Sequence, residues 1–391
     1  MTPAERATRF PLGAAVTLEE LERDPHPTLA RLRSAEPVSW ITALDGWLVT
    51  RRDLALEVMR DEATYTVDDP RFSTARVVGS SMLSLDGIAH RAHRDPFAKA
   101  FRLAEVRSRF TELVELELER LLDLVEPVGR AELRRDLAGP LSVATMVHAL
   151  GLGDTDARTA LGWYAAIVAD VTAITAGKPV AGAGTRAFAE LRDAVEAAMQ
   201  HESSLVAEAG SDTVGLTRAE VASNAGVLLF GGIETTEAMI VNAFVHLLSS
   251  SEQLATVRAD GGLLNGVVEE SLRLEPAAAV VDRYATRDTM LGDVAVCRGD
   301  MVTVSLAGAN RDPAVFPDPD RFDPTRDNVG LHVAFAHGPH VCLGMHLARV
   351  EARCALAAAL ARFSHLRLDP ARPSRFRGLV FRKPDEVHVL F

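Results

Sequence analysis

The chain is poor in cysteine, tryptophan and tyrosine, with three of each in 391 residues. Three cysteines, Cys297, Cys342 and Cys354, cannot supply the framework of a disulfide-stapled secreted domain, and they fit a reducing compartment. No unbroken run of eighteen apolar residues occurs, so no membrane span is expected. The opening stretch MTPAERATRFPLGAAVTLEELERDPHP lacks the basic-then-apolar order of a secretory leader, and a cytoplasmic location is expected. Basic charge is not in excess either. With 42 Lys and Arg against 54 Asp and Glu the net charge is −12, which argues against nucleic acid as a partner. Repeats, low-complexity tracts and long linkers are missing, so residues 1–391 are expected to form one domain, acting as a monomer.

What is present is mostly helical pattern. Aromatic residues are only 5% of the chain, and Ala, Leu and Val carry the hydrophobic share, a composition that leans helical. Val106, Phe110, Val114, Leu118, Leu121 and Val125 recur at three- and four-residue steps, which predicts an amphipathic helix. Further helices are expected over 133–150, 155–175 and 184–206, with the Gly-rich AGKPVAGAGT between the last two as a surface loop or a mobile lid turn. Thr217 and Glu220 form a capping-box signature, and helical pattern runs on to about Ser250. That helix would be roughly 50 Å long, enough to cross a domain. After another helix ending near Leu274, residues 279–313 are rich in β-branched residues and turns and read as short strands. A hairpin around Asp45-Gly46 and a strand in the terminal EVHVLF complete a mainly α plan with a small β-rich part.

Chemistry concentrates in FAHGPHVCLGMH, where His337, His340, Cys342 and His346 are all plausible transition-metal ligands. Zinc and a haem pocket both remain open on spacing alone. Cys342 directly precedes a strongly helical segment, a position that favours thiolate over thiol, and a thiolate is a good axial ligand for haem iron. A lone Cys in a helical protein is more often a small core residue. In the long helix, Gly231 and Gly232 each cost about 1 kcal/mol relative to Ala, and close helix packing is the plain explanation for such a pair. Glu270 and Arg273, at i and i+3, share one helix face, an arrangement common in surface ion pairs.

Taken in order, these stretches resemble the motifs of the cytochrome P-450 family. Phe335, Gly338, His340, Cys342 and Gly344 match its cysteine-ligand loop, as do the following LAR and Glu351; Ala336 departs from the usual Gly. Glu270 and Arg273 resemble its Glu-x-x-Arg helix, and Arg321 in FPDPDRF is expected to complete a structural Glu-Arg-Arg cluster. GGIETT resembles the family's small-Gly-x-acid-Thr signature. There Gly231 and Gly232 would leave room over the haem, Thr235 would hydrogen-bond the activated dioxygen, and Glu234 would help deliver protons. His90 and Arg94 resemble the helix that reaches the haem propionates, with Ala100 and Phe101 where the family has them. Arg283 and His340 are implied as further propionate contacts. Phe335 and Gly344 would flank the iron ligand, and His337 and His346 would be loop or surface residues.

The resemblance implies a haem b monooxygenase that oxidises a hydrophobic small molecule, fed with electrons from NAD(P)H through a ferredoxin and its reductase. Arg102, Arg107, Arg109 and Arg349 are candidates for the docking face. By the same resemblance the substrate pocket draws on Met82, Leu228, Leu229, Val280, Val281, Leu379 and Val380, an apolar lining suited to a secondary-metabolite skeleton. A variant that couples rings or forms C–N bonds retains every motif. A peroxide-driven peroxygenase usually lacks the acid–Thr pair present here.

Overall fold

The computed structural model describes all residues except 154, 176–178, 180–181, 201–203 and 212–214. The Gly-rich turn between the two middle helices falls largely outside the described residues.

The helices that frame the site are α1 (Arg52–Arg60), α2 (Gly87–Ala98), α3 (Leu103–Val125), α4 (Gly139–Leu150), α5 (Ala157–Thr175), α6 (Ala183–Ala198), α7 (Arg218–Leu248), α8 (Leu264–Leu274) and α9 (Met345–Arg362). Periodicity explains α3: Val106, Phe110, Val114, Leu118 and Leu121 are buried in the main core, while Val125 is only partly covered. The segment expected at 133–150 divides into a π-turn over Arg134–Ala138 and α4. The one expected at 184–206 ends at Ala198, and Ser204 caps a separate short helix by accepting a hydrogen bond from the Ala207 amide.

Helix α7 holds the molecule together. Thr217 and Glu220 cap it reciprocally, and 31 residues carry it roughly 46 Å through the core. By length and composition it is apolar enough to cross a membrane, but 83% of its most apolar window is buried by the other elements, as befits a core helix. It packs against α4, α6, α8 and α9.

The β part is a five-stranded sheet in the order β1 (Val38–Ile41), β2 (Gly46–Val49), β5 (Met301–Ser305), β4 (Val280–Ala285), β3 (Tyr65–Thr66). Only β2 and β5 run parallel. Asp45 closes the β1–β2 connection in the left-handed region, φ 49°. Near the C-terminus a hairpin pairs β6 (Phe376–Arg377) with β7 (Lys383–Pro384). His388–Leu390 forms the expected terminal strand and pairs with 130–132 and 367–368.

Behind the site lies a buried ion cluster on α8. Arg273 is wholly buried and grips Glu270 with two bonds of 2.7 Å, while its remaining donors reach the carbonyls of Asn310, Pro319 and Arg321. The second arginine of the cluster is Arg326, whose Nε donates to Glu270 at 3.0 Å. Arg321 had been expected there. Its side chain is exposed, and the residue supplies only a backbone carbonyl to the other two arginines.

Candidate active site

Residues 333–344 fold into a tight loop on α1. Ala336 sits in the left-handed region at φ 58°, and Gly338 does so at φ 76°. A Cβ on Gly338 would collide with the Met59 carbonyl, so only glycine lets the loop pass. The Cys342 amide donates to the Phe335 carbonyl at 2.9 Å, which turns the cysteine back over the loop just ahead of α9. Arg349 lies 4.5 Å over the Phe335 ring while making a double bond pair with Glu269 at 2.6 and 2.8 Å. The Cys342 side chain is accessible, yet burial pushes its thiol up. The Gly344 amide and the charges of Arg94 and Arg349 pull the other way without prevailing. Without a cation on the sulfur the thiol form is favoured, contrary to expectation from the helix terminus alone.

The loop histidines do not gather around this sulfur. His337 takes long bonds from Arg60, 3.4 to 3.5 Å, and burial with the nearby guanidiniums of Arg60 and Arg52 lowers its pKa. His346 is lowered for the same kinds of reason, burial first and then Arg349 and Arg107. Among the described residues, the one set of three metal-ligating side chains within 4.8 Å of one another is Glu62, His90 and His340, which leaves out Cys342. A zinc site in the loop has no ligand set.

A second cluster gathers two histidines and two arginines. His90 is buried and its ring stacks on His340, centroids 4.2 Å apart. Burial, then the neighbouring His340 and Arg94, push His90 down to about 4. Its Nε2 has no partner. Arg94 donates to the Val341 carbonyl at 2.6 Å, and Arg283, 5% exposed, donates to the Asp282 carbonyl at 2.8 Å. Among the described residues neither guanidinium has a carboxylate within 4 Å. His340 instead donates its Nε2 proton to Asp86 at 2.7 Å. Burial works against the Asp86 charge, but bonds from His340, Thr66 and the Val67 amide hold it at about 2. Haem fits this donor set. A sulfur ligand, two arginines without a carboxylate partner and an orphaned imidazole nitrogen suit an iron and two carboxylates. The Nε2 of His340 is engaged by Asp86.

Helix α7 is an unbroken α-helix through GGIETT. Gly231 and Gly232 differ sharply. A Cβ on Gly232 would run into the Met146 sulfur on α4, so that glycine serves helix packing. Nothing lies within 4 Å of the Cβ position on Gly231, so it faces open space. The Thr235 hydroxyl, one turn on, donates to the Gly231 carbonyl at 2.6 Å. Glu234 is turned to Lys383, whose Nζ lies 2.8 Å from its carboxylate.

The family's sequence profile, Cytochrome P-450, matches residues 185–391. The cytochrome P-450 monooxygenase PikC of Streptomyces venezuelae is 35% identical over 90% of this chain and 86% of its own. Nocardicin C N-oxygenase of Nocardia uniformis subsp. tsuyamanensis is 34% identical over 97% and 98%. The chain belongs to the cytochrome P-450 family. Among solved structures, P450BioI in complex with an acyl carrier protein ligated to hexadec-9Z-enoic acid superposes with a TM-score of 0.86. It is 29% identical, over 95% of this chain and 99% of that one. A cytochrome P-450 is an oxidoreductase; haem and redox partners that supply electrons are typical of the family.

Within this P-450, the residues expected to line the pocket split into two groups. Met82 is tied to α7 through its amide, which donates to Asn224 at 2.8 Å. Leu228 shares the helix face of Gly231 and Thr235, whereas Leu229 shares that of Gly232 and is fully buried in the core. Side chains alternate on β4, so Val281 lies on the face of Arg283 and Val280 on the opposite one. Val280 and Leu379 line a narrow crevice against Leu21, Leu29 and Leu48, away from Arg283. Val380 engages through its backbone, accepting the Ala279 amide at 2.8 Å. Among the arginines considered for docking, Arg349 is held by Glu269, and Arg109 pairs with Glu105 and Glu208. Arg102 and Arg107 stay exposed. Sequence reasoning passed over Asp86, Glu62, Arg326 and Lys383, whose only signal is an acidic or basic side chain in an ordinary stretch.

Proposed function

We propose that this P-450 binds haem b through Cys342, uses dioxygen and electrons from NAD(P)H by way of a ferredoxin and its reductase, and hydroxylates or otherwise oxidises a hydrophobic small molecule of secondary metabolism. The observation that carries this reading is the convergence of an accessible Cys342 with the unpartnered His90 Nε2 and with two arginines, Arg94 and Arg283, that have no carboxylate partner among the described residues. When bound, haem supplies the activation of dioxygen and the oxidising equivalent, which a thiolate ligand promotes.

This chain's own residues do the rest. Arg94 and Arg283 would hold the carboxylates of the cofactor, and His90 would offer its free Nε2. Asp86 keeps the His340 ring upright against His90. Gly231 leaves open space on its face of α7, and Thr235 holds a hydroxyl proton one turn on along that face. Glu234 stands beside Thr235 as the acid that relays protons. Leu228, Val281 and the segment at Met82 exclude water and orient an apolar substrate. The whole of 1–391 acts as one catalytic domain, without a membrane and in the cytoplasm.

One relative is named a monooxygenase and another, nocardicin C N-oxygenase, is named for oxidation at nitrogen, so heteroatom oxidation stays within the proposed class. A panel of macrolactone, peptide, terpenoid and fatty-acyl compounds, the last free and carrier-bound, tests the substrate class. Binding is read from the shift of the haem spectrum as substrate displaces water, and product from mass analysis with labelled dioxygen. One labelled oxygen atom per product is expected. Coupled, unoxygenated product would overturn hydroxylation.

A further inference from the structure

A cleft of about 640 Å³ opens where the C-terminal end of α3 meets the small sheet of 130–132, 388–390 and 367–368. None of its lining residues belongs to the Cys342 loop, to α2 or to α7, so it is separate from the active site described above. Its floor is apolar: Leu121 and Val389 are buried there, and Val125 is half-buried. Its wall is apolar too, yet uncovered. Leu124 and Val128 line the cleft while 63% and 60% exposed. Exposed leucines and valines scattered singly are ordinary, but two that line one hollow above a buried apolar floor form an unfilled contact.

The charges around this hollow do not all cancel. Arg120 is paired with Glu117 and Arg135 with Asp136, and the buried Glu132 turns its carboxylate to the amides of Arg134, Arg135 and Val387. His388 turns its Nε2 to Glu386 at 2.8 Å and its Nδ1 to Arg372 at 3.4 Å. That leaves Arg130 and Arg372, neither of which has a carboxylate within 4 Å among the described residues, against Asp369, which accepts the Ala371 amide. Two guanidiniums against one carboxylate leave a single positive charge beside an apolar hollow. The backbone contributes as well. Arg134–Ala138 is a π-helical turn, a rare conformation that recurs at functional sites, and it carries Arg135 and Asp136 to the lining.

We propose that this cleft is a second ligand site, for a small amphiphile with an apolar body and one carboxylate head. The body covers Leu124 and Val128 and reaches the floor at Leu121 and Val389. The carboxylate takes the guanidinium forks of Arg130 and Arg372, whose planar donors match its two oxygens. The volume lies within the range of small-molecule sites, roughly 300–1,000 Å³. A concave hollow of this size suits such a ligand better than it suits the broad face, about 800 Å² per partner, that a stable protein interface needs. A phosphate monoester, with about two negative charges, exceeds the one positive charge on offer and meets the carboxylates of Asp136 and Asp369.

The test titrates decanoate into the haem-loaded enzyme by calorimetry, with the active site closed by a tight azole inhibitor so that the probe cannot enter over the haem. One decanoate per chain is expected, with the haem spectrum unchanged. 1-Decanol, which keeps the body and drops the charge, should bind about tenfold more weakly, on the scale of a partly exposed charge-assisted bond. Decanoate should weaken by a similar factor on Arg130→Gln and on Arg372→Gln. Leu124→Asp, which places a like charge in the hollow, should abolish binding. Arg120→Gln, whose guanidinium already has Glu117, should leave it within about twofold. All four positions are exposed, so these variants are expected to fold as the wild type does, which thermal unfolding checks. No decanoate bound at millimolar concentration under the azole, equal affinity for 1-decanol, or full affinity in both the Arg130 and Arg372 variants would overturn the proposal. A cleft that holds a second copy of the chain would appear in ultracentrifugation as a dimer that Leu124→Asp dissociates, and that result would overturn it as well.

Discussion

Replacing Arg326 by alanine should destabilise the protein strongly, while replacing Arg321 should hardly matter. The Arg326 side chain is 8% exposed and its Nε donates to Glu270 at 3.0 Å. Its other nitrogens donate to the carbonyls of Pro317 at 2.6 Å and of Asp318 and Arg321, both at 3.2 Å. A hydrogen bond to a charged partner is worth about 1.5–3 kcal/mol, and each bond to a neutral carbonyl about 0.5–1.5 kcal/mol. Glu270 keeps its two bonds to Arg273, so no carboxylate is left bare, and the full 3–5 kcal/mol typical of breaking a buried pair does not apply. The freed carbonyls lie near the surface and regain water. A loss of about 2–4 kcal/mol is expected for Arg326→Ala, against about 0.5 kcal/mol or less for the exposed Arg321→Ala. Urea unfolding of both apoproteins, with haem retention measured alongside, checks this. Equal losses for the two variants, or a larger one for Arg321→Ala, would refute the assignment of Arg326 as the second arginine of the cluster.

Ala336→Gly should stabilise the cysteine loop. It relieves about 1–2 kcal/mol of left-handed strain and gives back about 0.4–1 kcal/mol in unfolded-chain freedom, a net gain of about 0.5–1 kcal/mol in a thermal unfolding series. Gly338→Ala should abolish haem uptake, read by titration, because its Cβ strikes the Met59 carbonyl. Thr235→Ala should keep the haem spectrum and divert reducing equivalents into peroxide; full coupling to product would contradict its place in proton delivery. His246 is held down to about 4, by burial first, against an ordinary value of 6.5. The unfolded chain therefore binds a proton that the folded one refuses, and stability is lost as pH falls from about 6.5 to about 4. That loss is about 3 kcal/mol. His246→Phe should flatten that limb of the stability profile and keep the ring contacts with Phe322 and Phe376.

Much of the helical frame was legible because its signal is local. The three- and four-residue steps of α3 and the capping box of α7 are written in consecutive residues, and so is the cysteine loop. What escaped is long-range or symmetric in sequence. Gly231 and Gly232 are identical letters, yet a step of about 100° on the helix sends one to open space and the other to Met146. Val280 and Val281 divide in the same way by the two-residue period of a strand. Arg321 and Arg326 stand in one loop, and only the path of the backbone decides which guanidinium reaches Glu270. His340 finds Asp86 across 254 residues, and no motif announces that pairing. The helix-terminus argument for Cys342 captured the favourable Gly344 amide but not the larger opposing effect of burial.

The most direct test is the absorption spectrum of the reduced, carbon-monoxide-treated protein after haem loading. A red-shifted band from thiolate-ligated haem, lost on Cys342→Ala, is the predicted result. A protein that takes up no haem, or one whose band is unshifted or survives that substitution, would contradict the account.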